Sequence, residues 1–564
     1  KYDFDWALRL LDLCAKHGIA VMVGTPTAAP PAWLTSKYPE VLQTRPDGRV
    51  VTHGQRKHYS VYSPRYRELC TKIVEKMAQA FSKHPALHSW QIDNEMSGSD
   101  YSAEARKGLH EWLKRKFGTI EALNKAWGLE FWSQAYNDFA QIPMPTASVG
   151  SIEVPERHHP SLLVNIAQYN NDAWHQFIKL QCDIIRRHSG SYRPYWLLET
   201  APNWSGGGKM WHLHHDASGV RAYSWYTVLL GGSMILYWQW REHWAGQEMQ
   251  HGTVVTATGR WRPNRDAFAN LSSELAAHSD WLLAHPPAPA KVAIIQSNEA
   301  AWAFSIDPID ENMRYDERFR EDYHLPIARR HIWRDVIDET QDFSPYRVLL
   351  MPFMPMVKNQ TRQKLADWVR SGGLLLLGPL TGYRTEEFTA FTDQEFGGLE
   401  QLMGATSALR FTVHWVEDRT SIEFDDGTSA RTRNWCEAFT PTSASVLASY
   451  KGGYGDGLPA VLLNRVGKGA VLTLGCQLPP DVYFALASRL FTEAGVAPLA
   501  QGSGEVVVVP RAADNAATAG YGIVNLTEKP QEITLADTGT DLLSGKPVGP
   551  RLSLAPLEVL LVRK

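Results

Sequence analysis

The sequence predicts an α/β protein in three parts: a parallel β/α region of barrel type, a second and open α/β domain, and a small all-β domain. Three observations predict it. Through the first half, amphipathic helices alternate with short apolar strands, the pattern of a parallel sheet. The stretch "AHPPAPAKVAII" (284–295) then places three prolines in four residues, the signature of a linker, and a new helix–strand alternation begins beyond it. From about residue 503 short strands alternate with turns. The expected boundaries are therefore 1–284, 291–500 and 503–564.

The elements follow in order. "KYDFDWALRLLDLCAKHG" (1–18) reads as an amphipathic helix with Trp6, Leu8, Leu10, Leu11 and Leu13 on its apolar face and Gly18 as its stop. "IAVMVG" (19–24) is an apolar strand, and a Pro-rich loop (25–34) follows it. A helix over 63–84 leads into a strand that climbs from Trp90 to Ile92 and ends in Asp93, Asn94 and Glu95. "YWLLET" (195–200) and "GGSMILYWQW" (231–240) are strands of the same kind, each opening into a long loop that contains Trp. In the second domain, strands are expected over 291–297, 346–352, 374–379, 460–464 and 470–475, with helices over 359–371 and near 481–494. This is a doubly wound pattern. No GxGxxG follows its first strand, so nucleotide binding has no support there. The last domain reads as strands at "EVVVVP", "GYGIVNL", "QEITL" and "LEVLLVR".

Composition excludes several functions. A chain of 564 residues, 44% hydrophobic and 21% charged, has the balance of a globular protein of several domains. Its net charge of −3 comes without a basic stripe, so nucleic acid is not an expected partner. No apolar run reaches the roughly 18–20 residues that span a bilayer, so no membrane is expected either. The five cysteines are scattered with no CxxC pair, which suggests neither a zinc knuckle nor a disulfide framework and fits a reducing compartment. The 21 Trp are the compositional clue, and many fall before residue 265. An indole packs cores, but it is also the natural platform beneath the C–H face of a sugar ring.

Glu95 and Glu199 each close a buried-type strand. In a parallel barrel the residues just past the strand C-termini form the active face. Two carboxylates across such a face can cleave a glycosidic bond: one protonates the leaving oxygen, and the other attacks the anomeric carbon or activates water. The plain alternative is that each Glu merely faces solvent at a strand end. Asn94 beside Glu95 favours the chemical reading, because an amide next to the acid can bond a sugar hydroxyl.

"WQIDNEM", with "VGTPTAAPPAWL" before it and "YWLLETAPNW" after it, resembles the glycoside hydrolase family 42 β-galactosidases. The resemblance runs over nearly the whole chain as an ordered set of blocks. It implies a (β/α)8 TIM barrel, a flavodoxin-like α/β trimerisation domain and a small β-sandwich-like tail. It implies retaining hydrolysis of terminal β-D-galactosides with Glu95 as acid/base and Glu199 as nucleophile. By the same resemblance Asn94 holds the 2-hydroxyl. "HGQRKHYS" (53–60) places a sugar-binding arginine on Arg56, "ETAPNW" a platform indole on Trp204, and "YWQWREHWAGQEMQHGTVV" (237–255) a hydroxyl-clasping pair on Glu248 and His251. No cofactor is implied. A homotrimer and the bacterial cytoplasm are. The rival readings are a β-glucosidase, α-arabinosidase or β-fucosidase on the same barrel, and a non-catalytic carbohydrate-binding remnant.

Two departures stand out. Family members that carry a zinc-binding cysteine cluster would have a Cys four residues after Arg56, where this chain has Ser60, and "MSGSDYSAEARKGLHEW" (96–112) holds no Cys. No structural zinc is therefore expected. The chain also starts without Met at about the helix before the family's third barrel strand. Two further strands are missing between the helix over 171–190 and the strand ending at Glu199. An incomplete barrel leaves unpaired edges. The expectation is that the sequence omits parts of a longer chain, rather than being a degenerate remnant or taking strands from a partner.

Overall fold

The computed structural model describes residues 2–54, 56–145, 158–189, 195–204, 216–246, 248–249, 251–309, 313–413, 420–513 and 517–564. The chain divides into two units. The first comprises 1–192, 298–313 and 383–393; the second comprises 193–297, 314–382 and 394–564.

The first unit begins with helix α1 (Asp5–Lys16). Strand β1 (Val21–Gly24), short helix α2 (Ala32–Lys37), helix α3 (Pro64–Phe81) and strand β2 (Leu87–Gln91) follow. Strands β1 and β2 pair in parallel, with Met22 opposite Ser89 and Val23 opposite Trp90. Ser63 caps α3, its hydroxyl accepting from the Tyr66 N–H at 3.2 Å. Tyr66, Cys70, Val74, Met77, Ala78 and Phe81 recur at helical spacing and are the buried residues of α3. Helices α4 (Ala103–Phe117), α5 (Ile120–Trp127) and α6 (Pro160–His188) complete the main body. Ala173 and Phe177 of α6 join Tyr66 and Cys70 of α3 in one core cluster. Segments 298–313, with helix α9 (Asn298–Ile306), and 383–393 belong to this unit. Glu387 secures the latter, pairing with Lys116 at 2.7 Å and accepting from Asn165 at 2.7 Å.

On α1 the observed face differs from the expected one. Phe4, Ala7, Leu8, Leu11, Cys14 and Ala15 pack inward, at i, i+3, i+4 spacing. Trp6, Leu10 and Leu13 form a second stripe and are exposed. Apolar residues occur all around this helix, so periodicity alone did not separate the two stripes.

The second unit opens with strand β3 (Trp196–Thr200), helix α7 (Ala217–Leu229), strand β4 (Met234–Tyr237) and helix α8 (Arg265–Ala284). Strands β3 and β4 pair in parallel. Among the described residues, the barrel region thus holds four strands in two separate parallel pairs. None of their residues is fully buried, whereas strands covered on both faces are buried throughout.

The α/β domain contrasts with them. Strands β5 (Val292–Ile295), β7 (Val348–Met351) and β8 (Leu374–Leu377) are buried at every residue, and β6 (Asp335–Ile337) flanks β5. With the strand Gly469–Leu474 the parallel order is β6-β5-β7-β8-(469–474). In domain order this is 2-1-3-4-5, the flavodoxin-like arrangement. Among the described residues the sheet then continues through four antiparallel strands to nine in all, of which the sequence foresaw only the first, at 460–464. The added strands are Pro459–Val466, Ser445–Lys451, Ser421–Phe424 and Ser429–Arg431.

The C-terminal domain is a pair of sheets of three and five strands, beginning with Ala500–Gly502. Its Val509, Val524, Val559 and Leu561 share a core with Val220, Trp225 and Leu229 of α7 and Leu271 and Leu282 of α8. Arg511 fastens this contact. It is 2% exposed and donates to the carbonyls of Leu229 and Leu282, each at 2.9 Å. These are the last-turn carbonyls of α7 and α8, where a cation also complements the helix dipole. Arg511→Met keeps the apolar stem and leaves both carbonyls buried without this donor. It should lower stability by about 3 kcal/mol, read as a reduced midpoint in urea unfolding followed by tryptophan fluorescence.

Candidate active site

The expected site residues fall into two groups, one in each unit. The first group lies past the C-terminal ends of β1 and β2; in the second, Glu199 is near the end of β3 and the others lie past the ends of β3 and β4.

In the first unit, the chain leaves β2 at Gln91 and turns sharply. Asp93 and Glu95 both adopt left-handed backbone, with φ of 57° and 44°. Non-glycine residues enter that region at a cost of about 1–2 kcal/mol each, so surrounding contacts must hold them there. The Glu95 carboxylate meets Arg56 at 2.8 Å and Lys57 at 3.1 Å through the same oxygen. Lys57 also donates to the Glu95 main-chain carbonyl and lies 3.4 Å from the Ser97 hydroxyl. The Glu95 side chain is 47% exposed. Ion pairs this open contribute only about 0–1 kcal/mol, so these cations orient the carboxylate more than they stabilise the fold. Asn94 is held from behind, its side-chain oxygen accepting from Gln91 Nε2 at 3.0 Å. Arg56, Asn94 and Glu95 are therefore neighbours, as expected. Lys57 was not expected; nothing in "RKHY" distinguishes a lysine that reaches the acid from one that faces solvent.

Ser60 sits where the family resemblance would put a thiolate. Its hydroxyl donates to the buried Asp100 carboxylate at 2.5 Å. Asp100 also accepts from the Thr44 N–H at 2.7 Å and the Ser102 hydroxyl at 2.6 Å. One carboxylate thus ties the segment after β1 to the loop after Glu95. Among the described residues no cluster of three or more His, Cys, Asp or Glu side chains is arranged to hold a metal ion.

In the second unit, Glu199 is the penultimate residue of β3 and is exposed. The Thr200 carbonyl accepts from the Trp238 N–H at 2.8 Å, so the loops after β3 and β4 leave the sheet side by side. A cis peptide joins Trp238 to Gln239. The loop carrying Trp204 is bound to the loop carrying Glu248 and His251. The Gly252 N–H donates to the Trp204 carbonyl at 2.9 Å, the Asn203 side chain donates to the Thr253 carbonyl at 3.0 Å, and the His251 N–H donates to the Glu248 carbonyl at 3.3 Å. This approach requires glycine at 252, since a Cβ there would lie 2.4 Å from the Trp204 carbonyl oxygen. Arg262 stacks on the Trp204 ring at 5.4 Å and is fixed by Glu242 at 2.9 Å. Trp238, Trp240, Trp244 and Trp261 are exposed around these loops. Trp204, Glu248 and His251 thus stand on adjoining loops, and Glu199 stands at the end of β3, with exposed aromatic rings suited to the apolar faces of sugars on these loops.

Comparison with known proteins points to one family. A family model described as "Beta-galactosidase" matches residues 1–192 and 187–278, and one described as "Beta-galactosidase trimerisation domain" matches 290–497. The first match comes in two stretches that meet where the sequence reading placed the missing strands. β-Galactosidase YesZ of Bacillus licheniformis is 28% identical over 95% of this chain and 88% of its own length. β-Galactosidase Bga of Halorubrum lacusprofundi is 29% identical over 88% of this chain and 81% of its own. Among solved structures, the β-galactosidase from Bacillus circulans sp. alkalophilus superposes with a TM-score of 0.92 at 23% identity, covering 100% of this chain and 92% of that one. The fold is accordingly that of a TIM-barrel region followed by a trimerisation domain and a C-terminal β domain. The chain belongs to glycoside hydrolase family 42.

Proposed function

We propose that this chain is a retaining β-galactosidase that releases terminal non-reducing β-D-galactosyl groups. The observation that carries the reading is the placement of exposed acids at the carboxyl ends of parallel barrel strands, in a chain of this family. In the proposed mechanism Glu199 attacks the anomeric carbon and forms a galactosyl-enzyme. Glu95 starts protonated and gives its proton to the departing oxygen. It then takes a proton from the incoming water, which displaces Glu199 and restores the original anomeric configuration. Arg56, Asn94, Trp204, Glu248 and His251 bind the galactose and orient it. Glu248 and His251 favour galactose over glucose, because axial and equatorial hydroxyls demand different partners. Residues 1–284 form the catalytic part, 291–500 the trimerisation part and 503–564 the β tail.

Azide separates the two roles. Glu199→Ala should lower kcat by on the order of 10⁴–10⁶-fold, and azide should then yield the α-galactosyl azide by a single displacement. Glu95→Ala should instead yield the β-galactosyl azide, because the galactosyl-enzyme still forms. Exchange of these two products would reverse the assignment, and full activity in either variant would refute it. A panel of nitrophenyl glycosides decides between galactose and the glucose, arabinose and fucose alternatives.

The assembly is proposed to be a homotrimer, supported by the match of 290–497 to a trimerisation domain. Light scattering at micromolar concentration should give three times the 63.4 kDa chain mass; a monomer would contradict it. No helix among the described residues is long and apolar enough to cross a membrane. The bacterial cytoplasm is the proposed location, in keeping with the scattered cysteines and the family resemblance.

A further inference from the structure

Beneath Asn94 and Glu95 lies a carboxylate that the proposed mechanism does not use. Asp93 is 2% exposed. One of its oxygens accepts from the Thr27 hydroxyl at 2.5 Å, and the other accepts from the N–H of Asn94 at 2.7 Å. The Tyr59 hydroxyl lies 3.2 Å from both oxygens. The Asp93 N–H donates to the Thr25 hydroxyl at 2.8 Å, and its carbonyl accepts from Gln91 Nε2 at 3.2 Å. Among the described residues it has no ion-pair partner, so hydroxyl and amide donors alone compensate the buried charge. Burial, and after it the Asp93 charge, push the Tyr59 hydroxyl above its ordinary value, which keeps that group a proton donor.

The donors come from two other chain segments. Thr27 stands on the loop after β1, beside Thr25, which accepts from the Asp93 N–H; Tyr59 stands two and three residues beyond Lys57 and Arg56, both of which grip Glu95. The carboxylate also accepts from the first amide of the Asn94–Glu95 pair, at the center of the left-handed turn. We propose that Asp93 is the positioning residue for Glu95: its buried carboxylate fixes the turn that presents the acid and ties that turn to the segment carrying Arg56 and Lys57. Thr27 and Tyr59 act with it as donors. The inference rests on the acid/base reading of Glu95.

Leaving-group dependence of kcat/KM tests it. Loss of general acid slows departure of a basic leaving group and spares one that departs unprotonated. Asp93→Asn keeps the shape but turns an amide nitrogen toward hydroxyl donors. For phenyl β-galactoside, kcat/KM should fall by roughly 100-fold, as expected when a catalytic group is displaced by about 1 Å. For 2,4-dinitrophenyl β-galactoside it should stay nearly unchanged. Tyr59→Phe, which removes one donor and keeps the ring, should show the same selectivity at smaller amplitude, and it serves as the test if Asp93→Asn does not fold. Equal losses on both substrates, or no loss on either, would overturn the proposal by making Asp93 a support of the fold alone. Glu95→Ala is the reference: if it lacks the leaving-group dependence, the acid/base reading fails. If it shows the dependence and the Asp93 and Tyr59 variants do not, only the positioning role fails.

Discussion

A carboxylate at 2% exposure is costly to bury unless hydrogen-bond donors surround it, and Asp93 draws its donors from separate parts of the first unit. That requirement organises the rim. It brings the loop after β1, the segment at 59 and the turn after β2 to one point, and it holds Glu95 on a backbone that non-glycine residues avoid. Arg56 and Lys57 then bear on Glu95 from the side. Asp100 does a comparable job one loop further on, where hydroxyls and one carboxylate link Thr44, Ser60 and Ser102. The second unit uses backbone closeness instead. Gly252 lets the Trp204 loop lie directly on the strand-end loop that carries Glu248 and His251.

The α/β domain fills with its own side chains the edge where such a sheet would take a ligand. In its 2-1-3-4-5 sheet a ligand would lie beyond the strand carboxyl ends near β5 and β7. There the Ser297 N–H donates to the Tyr315 hydroxyl at 2.9 Å, and the Met354 N–H donates to the Thr381 hydroxyl at 3.3 Å. Tyr315, Phe353 and Met354 are buried in the same region. The domain's own side chains occupy this edge, which suits a scaffold.

Much of this was legible in the sequence, for physical reasons that differ by element. Strands β5, β7 and β8 are short apolar runs between turn signals, and burial on both faces makes that pattern unambiguous. The turn at Asp93–Glu95 was legible because an apolar run that halts in three polar residues marks a strand leaving the core. The antiparallel extension over 421–466 was largely missed. Ser421–Phe424 and Ser429–Arg431 are too short and polar to show period two, and only sheet pairing defines them. The exposed stripe on α1 was misread because apolar residues lie on more than one side of the helix. The roles of Lys57 and Asp93 depend on contacts across 38 and 66 residues of chain, which no local pattern encodes.

In the proposed reaction Glu95 and Glu199 act on one anomeric carbon, the first as proton donor and the second as nucleophile. The most direct measurement is the distance between their carboxyl groups in a crystal of the protein with galactose bound. Retention requires about 5–5.5 Å, with the sugar between them. A separation beyond roughly 6.5 Å, or a galactose that touches only one of the two acids, would contradict it.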